Sequence, residues 1–164
     1  MNNIILALDP SGNFHEGKGT TGYAIAVNGQ PSKVGRVSAS DYKSAPEYWY
    51  AHMELINQVE PNQLVFEGYR LYNHKGMSAA TQANSILETP QLIGYLTMIA
   101  FLNQLPLKIQ FAKDVKTRWS DDVLINKSIL VKNGKHLLFK SSPTVTHERD
   151  ALRHLMHFIR YGGK

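Results

Sequence analysis

Apolar residues along this chain fall into two rhythms: short unbroken runs and stripes at helical spacing. Ile4-Ile5-Leu6-Ala7-Leu8 is an unbroken run, the pattern of a strand buried on both faces. Gly22–Val27 reads Gly-Tyr-Ala-Ile-Ala-Val and stops at the turn pair Asn28-Gly29. Val34–Ser40 alternates and predicts a third strand, paired antiparallel. Ser44 offers an N-cap, Pro46 a first turn, and Trp49, His52, Met53, Ile56 and Val59 recur at helical spacing as far as Pro61. Leu64–Phe66 is a second short central run. Thr89-Pro90 predicts a helix start, with Thr as cap and Pro at the first helical position, running to about Asn103. Leu107–Phe111 reads as another strand. Ser120-Asp121-Asp122 opens a helix that carries Val123, Leu124, Ile125, Ile129 and Leu130. Lys132-Asn133-Gly134-Lys135 is either a helix C-cap or a hairpin turn, and both remain open. The last helix begins near Thr146, buries Ala151, Leu152, Leu155, Met156 and Ile159, and ends at Gly162.

Three strands, helix, strand, helix, strand, helix and a final helix predict one α/β domain over residues 1–164. Its sheet is mixed, three antiparallel strands followed by parallel ones, with helices at the flanks. The helix after Pro90 is apolar nearly all round, whereas a helix in a single small domain hides one stripe. Its second apolar face predicts burial against another copy, hence a homodimer. The longest apolar stretch, Leu92 to Leu102, is interrupted by Gly94, Tyr95 and Thr97 and is too short for a bilayer, so no membrane partner is expected. Absent cysteines exclude disulfides and thiolate zinc sites. With no visible signal peptide, cytoplasmic residence is expected, in a bacterium or a phage-infected host.

Charge sharpens this picture. Residues 108–140 hold eight Lys or Arg and three acids, an excess equal to the +5 of the whole chain. A localised basic excess predicts a polyanion surface, and Lys113, Lys116, Arg118 and Lys127 fall within it. Against that background three acids stand out. Asp9 closes the first apolar run, Glu67 closes Leu64-Val65-Phe66, and Asp150 opens the last apolar stripe. Carboxylates from separate elements converging on one spot suit a divalent cation, because hard cations take oxygen ligands. His147 lies three residues before Asp150 and shares its helix face. A basic protein with such a site is a candidate for hydrolysing nucleic acid.

At these residues the chain resembles the RuvC-type Holliday junction endonucleases, a branch of the ribonuclease H-like fold. Leu8-Asp9-Pro10 followed by Thr21-Gly22-Tyr23 is similar to the family's strand, Asp-Pro-Gly turn and Thr-Gly-Tyr. Val65-Phe66-Glu67 matches its second acid. Pro90-Gln91-Leu92-Ile93-Gly94 resembles the Gly-Gln-x-x-Gly that starts its dimer helix. Lys116 and Lys127 are spaced like two family lysines near DNA. His147-Glu148-Arg149-Asp150-Ala151-Leu152 resembles the closing Asp/His-x-x-Asp-Ala-Leu. There are departures: an insertion at 13–20, Ser11 in place of the usual Gly, a segment 132–143 without family equivalent, and His147 in place of the more frequent Asp. They fit a divergent, phage-type member.

The resemblance implies a homodimer that nicks four-way or other branched DNA symmetrically, in recombination and repair. It implies two Mg²⁺ or Mn²⁺ ions about 4 Å apart, as in two-metal hydrolysis. Asp9 would bridge them, Glu67 would bind one, and Asp150 with His147 the other. Glu148 is the substitute should His147 point away. His154, one turn past Asp150, either supports a metal ligand or lies at the surface, the preferred reading. An aromatic wedge is implied at Tyr69 or Tyr72, with Arg70 and Lys75 on phosphates. Lys113, Lys116, Arg118 and Lys127 are the remaining DNA-contact candidates. Two rival readings are a non-catalytic binder of DNA structure and an actin-like-fold nucleotide phosphatase. The second rests on an Asp-x-x-Gly and Thr-Gly-Tyr-Ala pattern.

Overall fold

A computed structural model describes residues 2–70 and 87–162. Its centre is a five-stranded sheet in the order β3-β2-β1-β4-β5. Strands β1 (Ile4–Asp9), β2 (Thr20–Val27) and β3 (Gln30–Ser38) form an antiparallel meander. Strands β4 (Gln63–Glu67) and β5 (Leu107–Gln110) then add parallel to β1. Helices α1 (Ala45–Val59) and α2 (Glu88–Leu102) cover one face. The short helices α3 (Ala112–Lys116) and α4 (Asp121–Asn126) precede the long final helix α5 (Thr146–Tyr161), and residues from 119 onward build the core of the other face. This is the mixed sheet expected from the apolar runs.

Side-chain parity decides what points where. Along β1, Leu6 and Leu8 enter the core under α1 and α2, while Ile5 and Ala7 enter the core under α5. Along β4, Leu64 and Phe66 go to the first core and Val65 to the second. Successive strand residues alternate faces, so Asp9 and Glu67 continue the Ala7 and Val65 rows toward α5. The residues under α5 are small, Ala7, Ala24 and Ala26, all fully buried. At Gly22, paired with Asp9, the approach is closest: a Cβ there would sit 2.0 Å from the His147 carbonyl oxygen. Gly22 is glycine because the first turn of α5 occupies the space of its side chain.

Several local expectations are corrected. Helix α2 starts at Glu88 with Leu87 as cap, so Thr89 is inside the helix, where its Oγ1 accepts the Gly12 N–H at 3.0 Å. Helix α4 ends at Asn126, and Ser128 turns left-handed (φ 57°), placing Ile129 and Leu130 beyond the helix. Residues 132–135 make a hairpin turn and not a helix C-cap, with Gly134-Lys135 as its two-residue loop. The turn joins β6 (Val131–Asn133) to β7 (His136–Phe139), which also pairs with β8 (Ser142–Pro143) in a second small sheet. Short apolar runs beside exposed lysines gave no strand signal, so this sheet was not predicted.

The tight contact of Gly22 makes a prediction. Gly22→Ala should push the first turn of α5 off β2 and destabilise the domain by about 1–3 kcal/mol, the range for overpacking a close contact. Urea unfolding at neutral pH measures it; an unchanged midpoint would mean the helix is not seated there.

Candidate active site

The carboxyl ends of β1 and β4 lie side by side, since Leu8 pairs with Phe66, and each strand carries one acid into the gap beneath α5. Asp9 is 8% exposed and Asp150, one turn into α5, is 5% exposed. Glu67 is half-buried beside them. Three elements far apart in sequence thus place three carboxylates in one half-enclosed spot.

Each carboxylate has a cationic or histidine partner. His147 Nδ1 is 2.7 Å from Asp9 Oδ2. His154 Nε2 is 2.8 Å from Glu67 Oε2. Lys116 Nζ stands between Asp150 Oδ2 at 2.9 Å and Glu67 Oε2 at 3.6 Å. Arg153 holds the other Asp150 oxygen and reaches Asp121 Oδ1 at 2.5 Å. As the side chains stand, no group of three or more His, Asp and Glu among the described residues is set to hold a metal ion. The acids face Lys116, Arg153 and the two histidines instead of one another.

The electrostatics show which acid lacks compensation. Burial raises the Asp9 carboxyl above its ordinary pKa, the His147 hydrogen bond opposes this, and the charges of Glu67 and Asp150 add to the rise. Burial acts on Glu67 too, but the His154 hydrogen bond and the charges of His154 and Lys116 outweigh it and hold the group below its usual value. The Asp9 hydrogen bond raises His147 against partial desolvation. Burial would lower Lys116, yet its bond to Asp150 and the charges of Asp150, Glu67 and Asp9 hold it above the ordinary lysine value. Asp9 is thus held above its ordinary value chiefly by burial, while Glu67 is held below its own. The oxygen-rich donor set, with one imidazole, fits Mg²⁺ or Mn²⁺.

A buried polar network holds the turn after Asp9. His52 Nδ1 lies 2.7 Å from the Tyr48 carbonyl oxygen, which can only accept, so Nδ1 carries the proton. Nε2 must then accept from Thr21 Oγ1 at 2.8 Å. Thr21 Oγ1 accepts the Ser11 N–H at 3.2 Å, and Tyr48 donates its hydroxyl to the Ser11 carbonyl at 2.7 Å. The backbone N–H and C=O of Ser11 are thereby both fixed, two residues beyond Asp9. The insertion reinforces the turn: Phe14 stacks on Tyr48 with centroids 6.3 Å apart, and the His15 N–H donates to buried Glu88 at 3.3 Å.

The other sequence candidates separate. Asp9, Glu67, His147 and Asp150 meet. Lys116, expected on phosphate, is inside the acidic cluster. Glu148 points away, accepting the Val145 N–H at 2.8 Å and facing Arg36 at 3.4 Å, so it is no substitute for His147. His147 pairs with Asp9 and not with Asp150, its expected companion. His154 is fully buried, not at the surface, and also reaches Gln110 Oε1 at 2.9 Å. Lys113, Arg118 and Lys127 are exposed outside the cluster; Arg118 lies over Tyr161 at 5.1 Å and Lys127 over Trp119 at 5.8 Å. Tyr69 is exposed, and Arg70 lies over Phe111 at 3.7 Å. Tyr72 and Lys75 fall outside the described residues. Sequence reasoning missed Arg153, Gln110 and the Thr21–Tyr48–His52 network. Arg153 had one legible signal, a position three residues after Asp150 on the same helix.

Burial depresses His52 to about 4, against bonds to the Tyr48 and Trp49 carbonyls that favour the charged form. Because the unfolded chain binds this proton more readily, stability is complete above the ordinary histidine value near 6.5 and is lost as pH falls toward 4. The loss should approach about 3 kcal/mol. His52→Gln should flatten that part of a stability–pH curve measured by urea unfolding; an unchanged slope between pH 6.5 and 4 in the variant would clear His52 of the effect.

No protein-family model and no curated protein matches the chain. Solved structures do. The structure of Thermus thermophilus RuvC in complex with a Holliday junction substrate superposes with a TM-score of 0.66 at 16% identity, over 98% of this chain and 95% of that one. A second Thermus thermophilus RuvC structure gives 0.62 at 19% identity, over 97% and 96%. From β1 to α5, then, the polypeptide is laid out on the RuvC fold, the ribonuclease H-like architecture that its motifs resemble.

Proposed function

We propose that this protein is a divalent-metal-dependent endonuclease that cuts four-way or other branched DNA. The observation that carries the reading is the meeting of Asp9, Glu67 and Asp150 beneath α5, on a fold shared with a protein solved on a Holliday junction. Asp9, Glu67 and Asp150 would hold Mg²⁺ or Mn²⁺, with the second imidazole nitrogen of His147 as a further donor. The bound ions would supply an acidified water and charge neutralisation at the leaving oxygen. His147 has Nδ1 committed to Asp9 Oδ2, the arrangement that fixes tautomer and ring in carboxylate-supported histidine ligands. His154 orients Glu67 through one hydrogen bond, and Arg153 does the same for Asp150. Lys116 neutralises Glu67 and Asp150 in the metal-free protein. Its ammonium becomes available to a phosphate oxygen once a cation takes over those carboxylates. Tyr69, Arg70, Lys113, Arg118 and Lys127 would contact the DNA around the cut, as would Tyr72 and Lys75.

We place a homodimer interface on α2. Met98, Phe101 and Leu102 are 55%, 75% and 69% exposed and form one stripe with Gly94. A Cβ at Gly94 would meet nothing within 4 Å. Glycine inside a helix costs about 0.5–1 kcal/mol relative to alanine, and open space above it admits the close approach of another backbone. Two-fold pairing would set two sites against a two-fold junction, so that nicks fall in opposing strands.

Purified protein with Mg²⁺ or Mn²⁺ and a synthetic junction should give paired symmetric nicks. Asp9→Asn should bind that junction and cut it at least about a thousandfold more slowly, the scale of losing a central catalytic group; cutting at the wild-type rate would remove Asp9 from the site. Binding without cleavage under any metal would favour the non-catalytic reading. Phe101→Glu should yield a folded monomer in sedimentation, whereas an unchanged dimer would place the interface elsewhere.

A further inference from the structure

Residues 123–147 contain four lysines and no acidic side chain, and most of this stretch is the β6–β8 sheet that the motif comparison left unassigned. We infer that its hairpin, Val131–Phe139, is a second nucleic-acid contact, a basic β-ribbon that lies along a duplex arm beside the cut; this rests on the nuclease reading above.

The hairpin is anchored at its base and bare at its tip. Leu130 and Phe139 are buried in the core beneath α5, and Leu137 packs against it. Lys140 Nζ donates to the Ser32 carbonyl at 2.9 Å, tying the ribbon to β3. The Thr144 N–H donates to the Leu137 carbonyl at 2.9 Å, and Arg149 grips the Thr144 carbonyl at 3.0 Å. The ribbon is therefore fixed to the same turn of α5 that carries His147 and Asp150. Residues 131–136 are all exposed. Gly134 has φ 58° and Lys135 is not left-handed, the pattern of a tight II′ turn.

The register sorts its side chains. Val131 pairs with Leu138 and Asn133 with His136, so these four share the outward face, while Lys132 pairs with Leu137 on the inward side and emerges at its rim. An outward face of small apolar and hydrogen-bonding groups, with Lys132 and Lys135 beside it, matches sugar and base edges between two phosphate rows. A two-stranded ribbon fits the DNA major groove. Thr144 is hydrogen-bonded to Leu137, three residues from Gly134, and lies three residues before His147. About 10 Å of chain on each side puts the tip within about 20–25 Å of His147 at strand rise, or about six to seven base-pair steps.

The test uses the full-length protein, an immobile four-way junction and the double variant Lys132→Gln/Lys135→Gln. Removing two phosphate contacts should lower the slope of log K against log salt by about 1.8 and weaken junction binding several-fold at physiological salt. Hydroxyl-radical protection should vanish about six to seven base pairs from the cut and persist at the cut itself. An unchanged slope and footprint overturn the ribbon proposal even when the wild-type protein cuts junctions. Wild-type cleavage with an unaffected variant would sink this proposal alone, whereas a wild-type protein that binds no nucleic acid would sink both. Loss of binding to anionic phospholipid vesicles in the variant, with DNA binding intact, would assign the hairpin to a lipid surface and overturn it as well.

Discussion

Repulsion among three carboxylates, two buried and one half-buried, is the constraint around which this molecule is arranged. The effect is visible at Asp9, whose carboxyl is raised first by burial and further by the charges of Glu67 and Asp150. The protein has 18 Lys and Arg against 13 acids, yet it confines the acids that matter to one place. It then surrounds them with Lys116, Arg153, His147 and His154. Ion pairs of this kind are poor evidence of stability, because desolvation offsets much of their attraction. Their sense here is positional: each holds one carboxylate in a set place beneath α5.

Backbone packing makes the crowding possible. Asp9 and Glu67 come together because β1 and β4 are parallel neighbours and share side-chain parity at their carboxyl ends. Asp150 joins them only because α5 lies directly on the sheet, over Ala7, Ala24, Ala26 and Gly22. On the opposite face, Thr21, Tyr48 and His52 pin the Ser11 peptide, so the chain leaving Asp9 has one path. The acidic pocket and the helix above it depend on the same few glycine and alanine positions. The anchored β6–β7 hairpin extends this order outward from the first turn of α5, giving a basic protein a fixed cationic projection near its acidic centre.

The apolar runs of β1 and β4 were legible because strands buried on both faces need unbroken hydrophobic residues, and α1 and α5 because a half-buried helix repeats its apolar stripe. The motif acids were legible as the polar residues ending those elements. The small second sheet was not: its strands are two to four residues long, and its lysines mask the alternation. His154 read as a surface residue because nothing local distinguishes a polar side chain facing water from one facing Glu67 and Gln110.

Sequence by itself determined the order of elements, the positions of Asp9, Glu67, His147 and Asp150 at their ends, and the basic excess beside them, since these follow from local spacing and composition. Tertiary structure decided the partners: His147 with Asp9, Lys116 between Glu67 and Asp150, His154 buried, Glu148 turned away. Such pairings join residues up to 138 positions apart, and they are set by strand register and by how closely a helix can settle on a sheet, quantities that no single stretch of chain contains.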